Sequence, residues 1–300
     1  MSNANDASKK ARRDHARETA RLEREAEKKR RTRNRIFIQG GVVLGVLAVA
    51  LVGVLIFTSA NKAVTPSAGP ANMLSDGILF AGADVAPVET AAIPIDGTPT
   101  PTTTDATDGI ASIETYVDWT CPICQDFEAT YSESLSSLVA AGTATLEVHP
   151  IAILDGSYVG SRYSSRANNA AACIANYDPD DFLTAQTAMY ENQGTEGTTG
   201  LTNGDIKSIL ADVGVSSDDV TSCIDDEEFR SWVTEATERA TANPDLVNPT
   251  DGSFGTPTVI INGVRWDGTT DIIDAVSAAS AAELATTEEP TEEPTAEPTN

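Results

Sequence analysis

The chain has 300 residues and a formal net charge of −25, long enough to bury a well-filled core, which excludes a short peptide held by disulfides alone. The charge is divided. Residues 1–35 carry 13 of the 20 Lys and Arg and 6 of the 45 Asp and Glu, so this arm is net +7, while the remaining 7 basic and 39 acidic residues leave the rest net −32. No Ser/His/Asp arrangement, P-loop or dinucleotide fingerprint is present, and the two histidines, His15 and His149, are far apart in sequence.

Between arm and body, Ile36 to Phe57 (IFIQGGVVLGVLAVALVGVLIF) is a run of 22 residues with Gln39 as its only polar side chain. At about 1.5 Å per residue this makes roughly 33 Å of helix, the thickness of a bilayer core, and predicts a transmembrane helix. A cleavable signal peptide has a shorter apolar stretch and a shorter charged region, so the segment is read as an uncleaved signal-anchor. Lys28, Lys29, Arg30, Arg31, Arg33 and Arg35 crowd one end and only Lys62 follows the other. The expectation is therefore a single-pass cell-membrane protein with its N-terminus cytoplasmic and its acidic body extracytoplasmic. Anionic lipid and topology account for the basic arm, so no nucleic-acid partner is expected.

Residues 58–75 are small, polar and Pro-containing, and read as a linker. Ile78–Phe80 and Val85–Ile95 are predicted as short strands, and 96–109 as a surface loop. Ile110–Val117 alternates as a strand, Pro122–Ala141 has helical spacing, and Thr143–Pro150 reads as a strand. Four helical stretches follow, Ser161–Ala175, Pro179–Asn192, Thr202–Val213 and Ser217–Ala240, with Thr202 and Ser217 as caps. The chain closes with a strand at Thr258–Asn262, a tight turn at Asn262-Gly263, a partner strand at Val264–Trp266 and a helix at Thr270–Ala282. Glu283–Asn300, with six Glu and three Pro, has almost nothing to bury and is expected to be disordered. This order predicts an α/β domain over about 76–282 with a helical insertion at about 160–240.

Four cysteines on the outer side of a membrane sit where disulfides persist. Cys121-Pro122-Ile123-Cys124 lies directly between a predicted strand and a predicted helix. Two intervening residues let both sulfurs meet on one helical turn. At the helix N-terminus, partial positive charge and free N–H groups favour the Cys121 thiolate. Pro122 fits the first turn, where its missing N–H is harmless, and Cys124, deeper in the helix, suits a resolving thiol. Two other readings stand beside this one. Zinc would need two further ligands, for which only His149, Cys173 and Cys223 are candidates; a purely structural bridge in so tight a loop would be easily reduced.

Asp118-Trp119-Thr120-Cys121-Pro122-Ile123-Cys124, followed by His149-Pro150-Ile151-Ala152-Ile153-Leu154-Asp155, Gly255-Thr256-Pro257-Thr258 and Ile261-Asn262-Gly263, resembles the DsbA-like thiol–disulfide oxidoreductases. The likeness is to the membrane-anchored Gram-positive, actinobacterial type and runs over about residues 110–282. It implies a thioredoxin fold with a helical insertion, Cys121 as surface nucleophile, Cys124 as resolving thiol, Pro257 as a cis-proline preceded by Thr256, and Pro122 and Ile123 as residues that tune the pair. It implies oxidation of unfolded or reduced secreted proteins through a mixed disulfide at Cys121, no metal or organic cofactor, and a quinone-linked membrane reoxidant as partner. Ile123 replaces the His often found between such cysteines. The position six before Cys121, where a buried carboxylate often serves proton transfer, is Thr115; Glu114 and Asp118 are expected on the other strand face. His149 reads as a structural histidine at a strand end. With the first pair assigned, Cys173 and Cys223 remain, and a bridge closing about 50 residues is expected in preference to two buried thiols or a second, electron-relaying pair. A reductase or isomerase of the same fold, and a binding or chaperone module with a structural bridge, are the competing functions.

Overall fold

The computed structural model describes residues 66–102 and 109–287. The expected arm at 1–35, the transmembrane segment at 36–57 and the tail beyond Thr287 lie outside the described residues, among which no helix is long and apolar enough to cross a membrane.

The strict alternation of Ala111–Val117 makes β3 the organising strand: Ala111, Ile113, Thr115 and Val117 are buried while the residues between them are half-buried. β3 pairs parallel with β4 (Ala144–Pro150) and antiparallel with β5 (Thr258–Ile261). A parallel partner needs a crossover, and α1 (Pro122–Ala140) supplies it. Gly142 then turns the chain with φ +71°, a left-handed conformation that a glycine adopts without cost. Two edge pieces complete a mixed six-stranded sheet in the order β2-β1-β4-β3-β5-β6, with β1 at Ile78–Ala81, β2 at Ala86–Pro87 and β6 at Val264–Arg265. The β5–β6 turn is the Asn262-Gly263 pair, both with positive φ, as the sequence predicts.

The insertion comprises α2 (Tyr163–Tyr177), α3 (Phe182–Glu191), α4 (Asn203–Asp212), α5 (Asp218–Asp226) and α6 (Arg230–Ala242), and α7 (Ile272–Thr287) ends the described chain. Ala167, Ala170, Ala171, Ala172 and Ala175 are fully covered, so α2 combines high helix propensity with a surface that neighbours approach closely. Thr202 and Asp205 form a reciprocal capping box at the start of α4, and Ser217 caps α5.

Four expectations are corrected. Val85–Ile95 is not a strand: Val85 takes φ +49°, and only Ala86–Pro87 pairs with β1. Ser217–Ala240 is not one helix: Glu227, at φ +50°, ends α5 with its carboxylate bonded to Arg162 at 2.9 Å. Residues 66–75 do not behave as linker. Asn72 and Met73 are buried, Ser67 bonds Ser231, and the neighbouring Asp76 takes two bonds from Arg239 at 2.6 and 2.8 Å and one from Trp232 at 3.1 Å. Finally, α7 runs five residues past Ala282.

The sheet's two faces differ in content. Thr115, Val117, Leu146 and Val148 look toward α1. Tyr116 and His149, partners in register, look away toward α6. His149 is buried, stacks on Tyr116 at 4.4 Å, and lies 3.8 Å from Glu147, which accepts hydroxyls from Ser75 and Thr102. Burial disfavours its imidazolium, but Glu147 prevails and holds its pKa above the usual histidine value. Gly77 presses on the same ring: a Cβ there would lie 2.6 Å from it.

Candidate active site

β3 delivers the chain to the dithiol through Asp118-Trp119-Thr120, all fully buried. The Asp118 carboxylate accepts from Thr120 N–H, Thr120 Oγ1 and Asn168 on one oxygen, and from Ile153 N–H, Leu154 N–H and Ser164 on the other. Burial pushes this carboxyl up, and the bonds from Ser164, Thr120 and Ile153 oppose the rise. Asp118 stands one residue past the end of β3 and ties the approach loop to the insertion. Trp119 donates to Gln186 at 3.1 Å, Tyr158 donates to the Thr120 carbonyl at 2.9 Å, and Gln193 donates to the carbonyls of Trp119 and Cys121 at 3.1 and 3.0 Å.

This frame sets Cys121 as the N-cap of α1, with Pro122 in the first turn. Both thiols are free. The surroundings shift the two thiols in opposite directions. Cys121 is lowered to about 6, first by the hydrogen bond from the Cys124 side chain, against burial, and then by the Thr256 side chain and the backbone N–H groups of Cys124 and Ile123. Those N–H groups are the unpaired donors of a helix start. Cys124 is pushed well above the ordinary thiol value, chiefly by burial. The expected contrast in exposure is slight: Cys121 is 5% exposed and Cys124 1%, whereas Ile123 stands out at 65%.

The Thr256–Pro257 bond is cis. It brings the Thr256 carbonyl to 3.5 Å from Cys121 Sγ, which donates to it in its protonated form. The structure therefore gathers Cys121, Pro122, Ile123, Cys124, Thr256 and Pro257 in one place. Cys173 of α2 and Cys223 of α5 are joined in a disulfide elsewhere, inside the insertion. Glu114 and His149 stay on the far face of the sheet, and no metal-binding cluster occurs among the described residues.

Sequence reasoning passed over Glu128, Gln186, Gln193 and Tyr190. Glu128 is four residues after Cys124, hence on the same face of α1, and helical spacing alone could have marked it. It is buried, accepts from Gln186 at 3.0 Å and Thr187 at 2.7 Å, and is raised above the ordinary carboxyl value by burial. The other three come from the insertion, whose docking no local pattern announces.

The family model described as Thioredoxin matches residues 100–279, more than half of the chain. The chain belongs to the thioredoxin family. Its mixed α/β core with a helical insertion is a thioredoxin-like fold. Among solved structures, oxidised DsbA of Mycobacterium tuberculosis is similar at 22% identity and a TM-score of 0.50, covering 70% of this chain and 99% of that one. MdbA, a thiol-disulfide oxidoreductase from Corynebacterium matruchotii, is similar at 15% identity and 0.50, covering 74% and 96%. At these identities the likeness is one of fold. None of the curated proteins matches this chain.

Proposed function

We propose that the protein is a membrane-anchored, extracytoplasmic thiol–disulfide oxidoreductase that oxidises dithiols of secreted proteins. The observation that carries this reading is the division of labour between Cys121, whose thiolate is favoured at the start of α1, and Cys124, whose thiol is kept protonated one turn deeper. A substrate thiolate attacks Cys121 Sγ of the oxidised pair. The Cys121–Cys124 bond breaks, its electron pair leaves on Cys124, and a substrate–Cys121 disulfide forms. The second substrate thiolate then attacks the substrate sulfur of that mixed disulfide and expels Cys121 as a thiolate. Because the expelled thiolate is stabilised, the reduced enzyme is favoured and the oxidised enzyme is a good oxidant. That supports oxidation over reduction or isomerisation. The exposed Ile123 and the Thr256 backbone suit an extended, partly apolar peptide.

The apolar run at 36–57 and the Lys/Arg asymmetry around it support the anchor and its orientation, and a quinone-linked membrane protein is the reoxidant the family resemblance implies. The test uses the full-length protein in detergent micelles with reduced, unfolded ribonuclease as substrate. Recovery of substrate activity at the expense of the Cys121–Cys124 disulfide, with a potential well above that of thioredoxin, is the expected result. A potential near thioredoxin's would turn the reading to a reductase, and unchanged recovery with Cys121→Ser would turn it to a binding module. Protease protection of residues 1–35 in sealed inside-in vesicles tests the orientation.

A further inference from the structure

When Cys124 leaves as a thiolate it lies in the protein interior, 1% exposed, and must gain a proton there. Thr115, on the face of β3 that looks toward α1, has no proton to give at neutral pH and donates to the Glu147 carbonyl. Asp118 has both oxygens filled by the six donors described above. What remains is a cavity of about 250 Å3 between α1, α3 and the sheet, lined by Cys124, Glu128, Thr115, Gln186, Thr187 and Tyr190. Residues four apart on a helix have Cβ atoms about 5–6 Å apart, so Cys124 and Glu128 open onto one space with room for a bridging water. Tyr190, wholly buried, feels the charges of both.

From this arrangement we propose that Glu128 is the proton-exchange partner of Cys124, with the carboxyl of α1 doing through the shared cavity what the strand at Thr115 cannot do. In the oxidising direction, the Cys121–Cys124 bond breaks, the electron pair goes to Cys124 Sγ, and the Glu128 carboxyl proton passes to that sulfur. The carboxylate left behind keeps the hydrogen bonds from Gln186 and Thr187 and recovers a proton from solvent. In the reverse direction the carboxylate takes the Cys124 proton as its thiolate attacks the mixed disulfide. Burial holds Glu128 in its acid form to higher pH than an ordinary carboxyl, which suits it to donate. The other titratable groups facing the cavity are Glu133, exposed at its rim, and Tyr190, whose hydroxyl burial keeps protonated. The residues that β3 and β4 present are not titratable, and β1 and α7, which also pack on α1, place none there.

This rests on disulfide exchange at Cys121. The experiment follows reduction of the oxidised full-length protein by dithiothreitol with acid quenching and thiol alkylation, from pH 5 to 9, with rates expressed per attacking thiolate. In the wild type the rate falls as pH rises through the Glu128 ionisation. Glu128→Gln removes that limb and slows the acid-side rate by about 10²-fold. Thr187→Val keeps the carboxyl but removes a donor that favours its ionised form, so the limb moves to higher pH. This variant also tests the proposal if Glu128→Gln fails to fold. A role confined to docking α3 would lower stability in both variants and leave the pH profile of the folded protein unchanged, which overturns the proposal. Absence of any exchange in the wild type overturns the reading of Cys121 as well; exchange with an unaltered profile in the variants overturns Glu128 alone.

Discussion

Four cysteine sulfurs in one chain meet two fates. Cys121 and Cys124 are three positions apart, sit at a helix start, and are free thiols; Cys173 and Cys223 are 50 positions apart, sit within two packed helices, and are bonded. All four are buried, so burial does not separate the pairs. The difference is in what surrounds the sulfur. Cys121 faces the Cys124 thiol, the Thr256 side chain and unpaired N–H groups, and its negative form is welcome. Cys173 is covered by α2's own neighbours and accepts one weak contact from Asn169 at 3.6 Å, so only the neutral disulfide is comfortable there. Reactivity follows from the helix end, and permanence from the helix middle.

The comparison can be broken most directly by removing sulfur from each pair in turn. Cys121→Ser is expected to slow oxidative refolding of reduced ribonuclease by at least about 10³-fold, to the uncatalysed rate, with the unfolding midpoint in denaturant little changed. The reverse pattern is expected for Cys173→Ala with Cys223→Ala: refolding activity persists in the folded fraction, while urea unfolding shows a loss of about 4 kcal/mol in the chain-entropy model. An active-site disulfide that proved the more stabilising of the two would invert the distinction.

A smaller effect is expected at the loop that sets Cys121. Asp118→Asn replaces an acceptor-only group by one carrying two donors in a place that offers six, at a cost of about 2 kcal/mol. Chemical denaturation measures it, and a neutral result would mean that the insertion does not depend on this carboxylate. The smallest expected effect is a pH dependence. Cys121 titrates near 6 when folded, below the ordinary thiol value, so the stability it lends the reduced protein is present above the thiol range and is lost as pH falls through about 6. With solvent screening this is at most about 1 kcal/mol at pH 7. The oxidised protein should lack it, and alkylation of Cys121 by iodoacetamide should be half-maximal near pH 6.

The framework of the sheet was readable because β3 alternates, Asn262-Gly263 can form only a tight turn, and Thr202 and Ser217 announce the helices they cap. Cys121 and Cys124 were readable for a similar reason, since their chemistry comes from the first turn of their own helix. What eluded pattern reading depends on contacts distant in sequence. The stretch 66–75 looks like linker because its partners, Ser231, Asn176 and Ala175, come 100 or more residues later. Val85–Ile95 has strand composition, but Val85 turns the chain instead. The six bonds that Asp118 receives were not legible because β3 stops at Val117 and strand alternation says nothing of the loop beyond it.

The contact between Gly77 and the His149 ring bears on how this molecule can change over time. A side chain at 77 would strike the imidazole at 2.6 Å, and the imidazole cannot retreat because Tyr116 stacks on its face at 4.4 Å. Neither position is free to drift by itself, so the two form one heritable unit on the side of the sheet away from the dithiol. Among relatives with the same sheet, a residue larger than glycine at the first position should accompany a smaller one at the second.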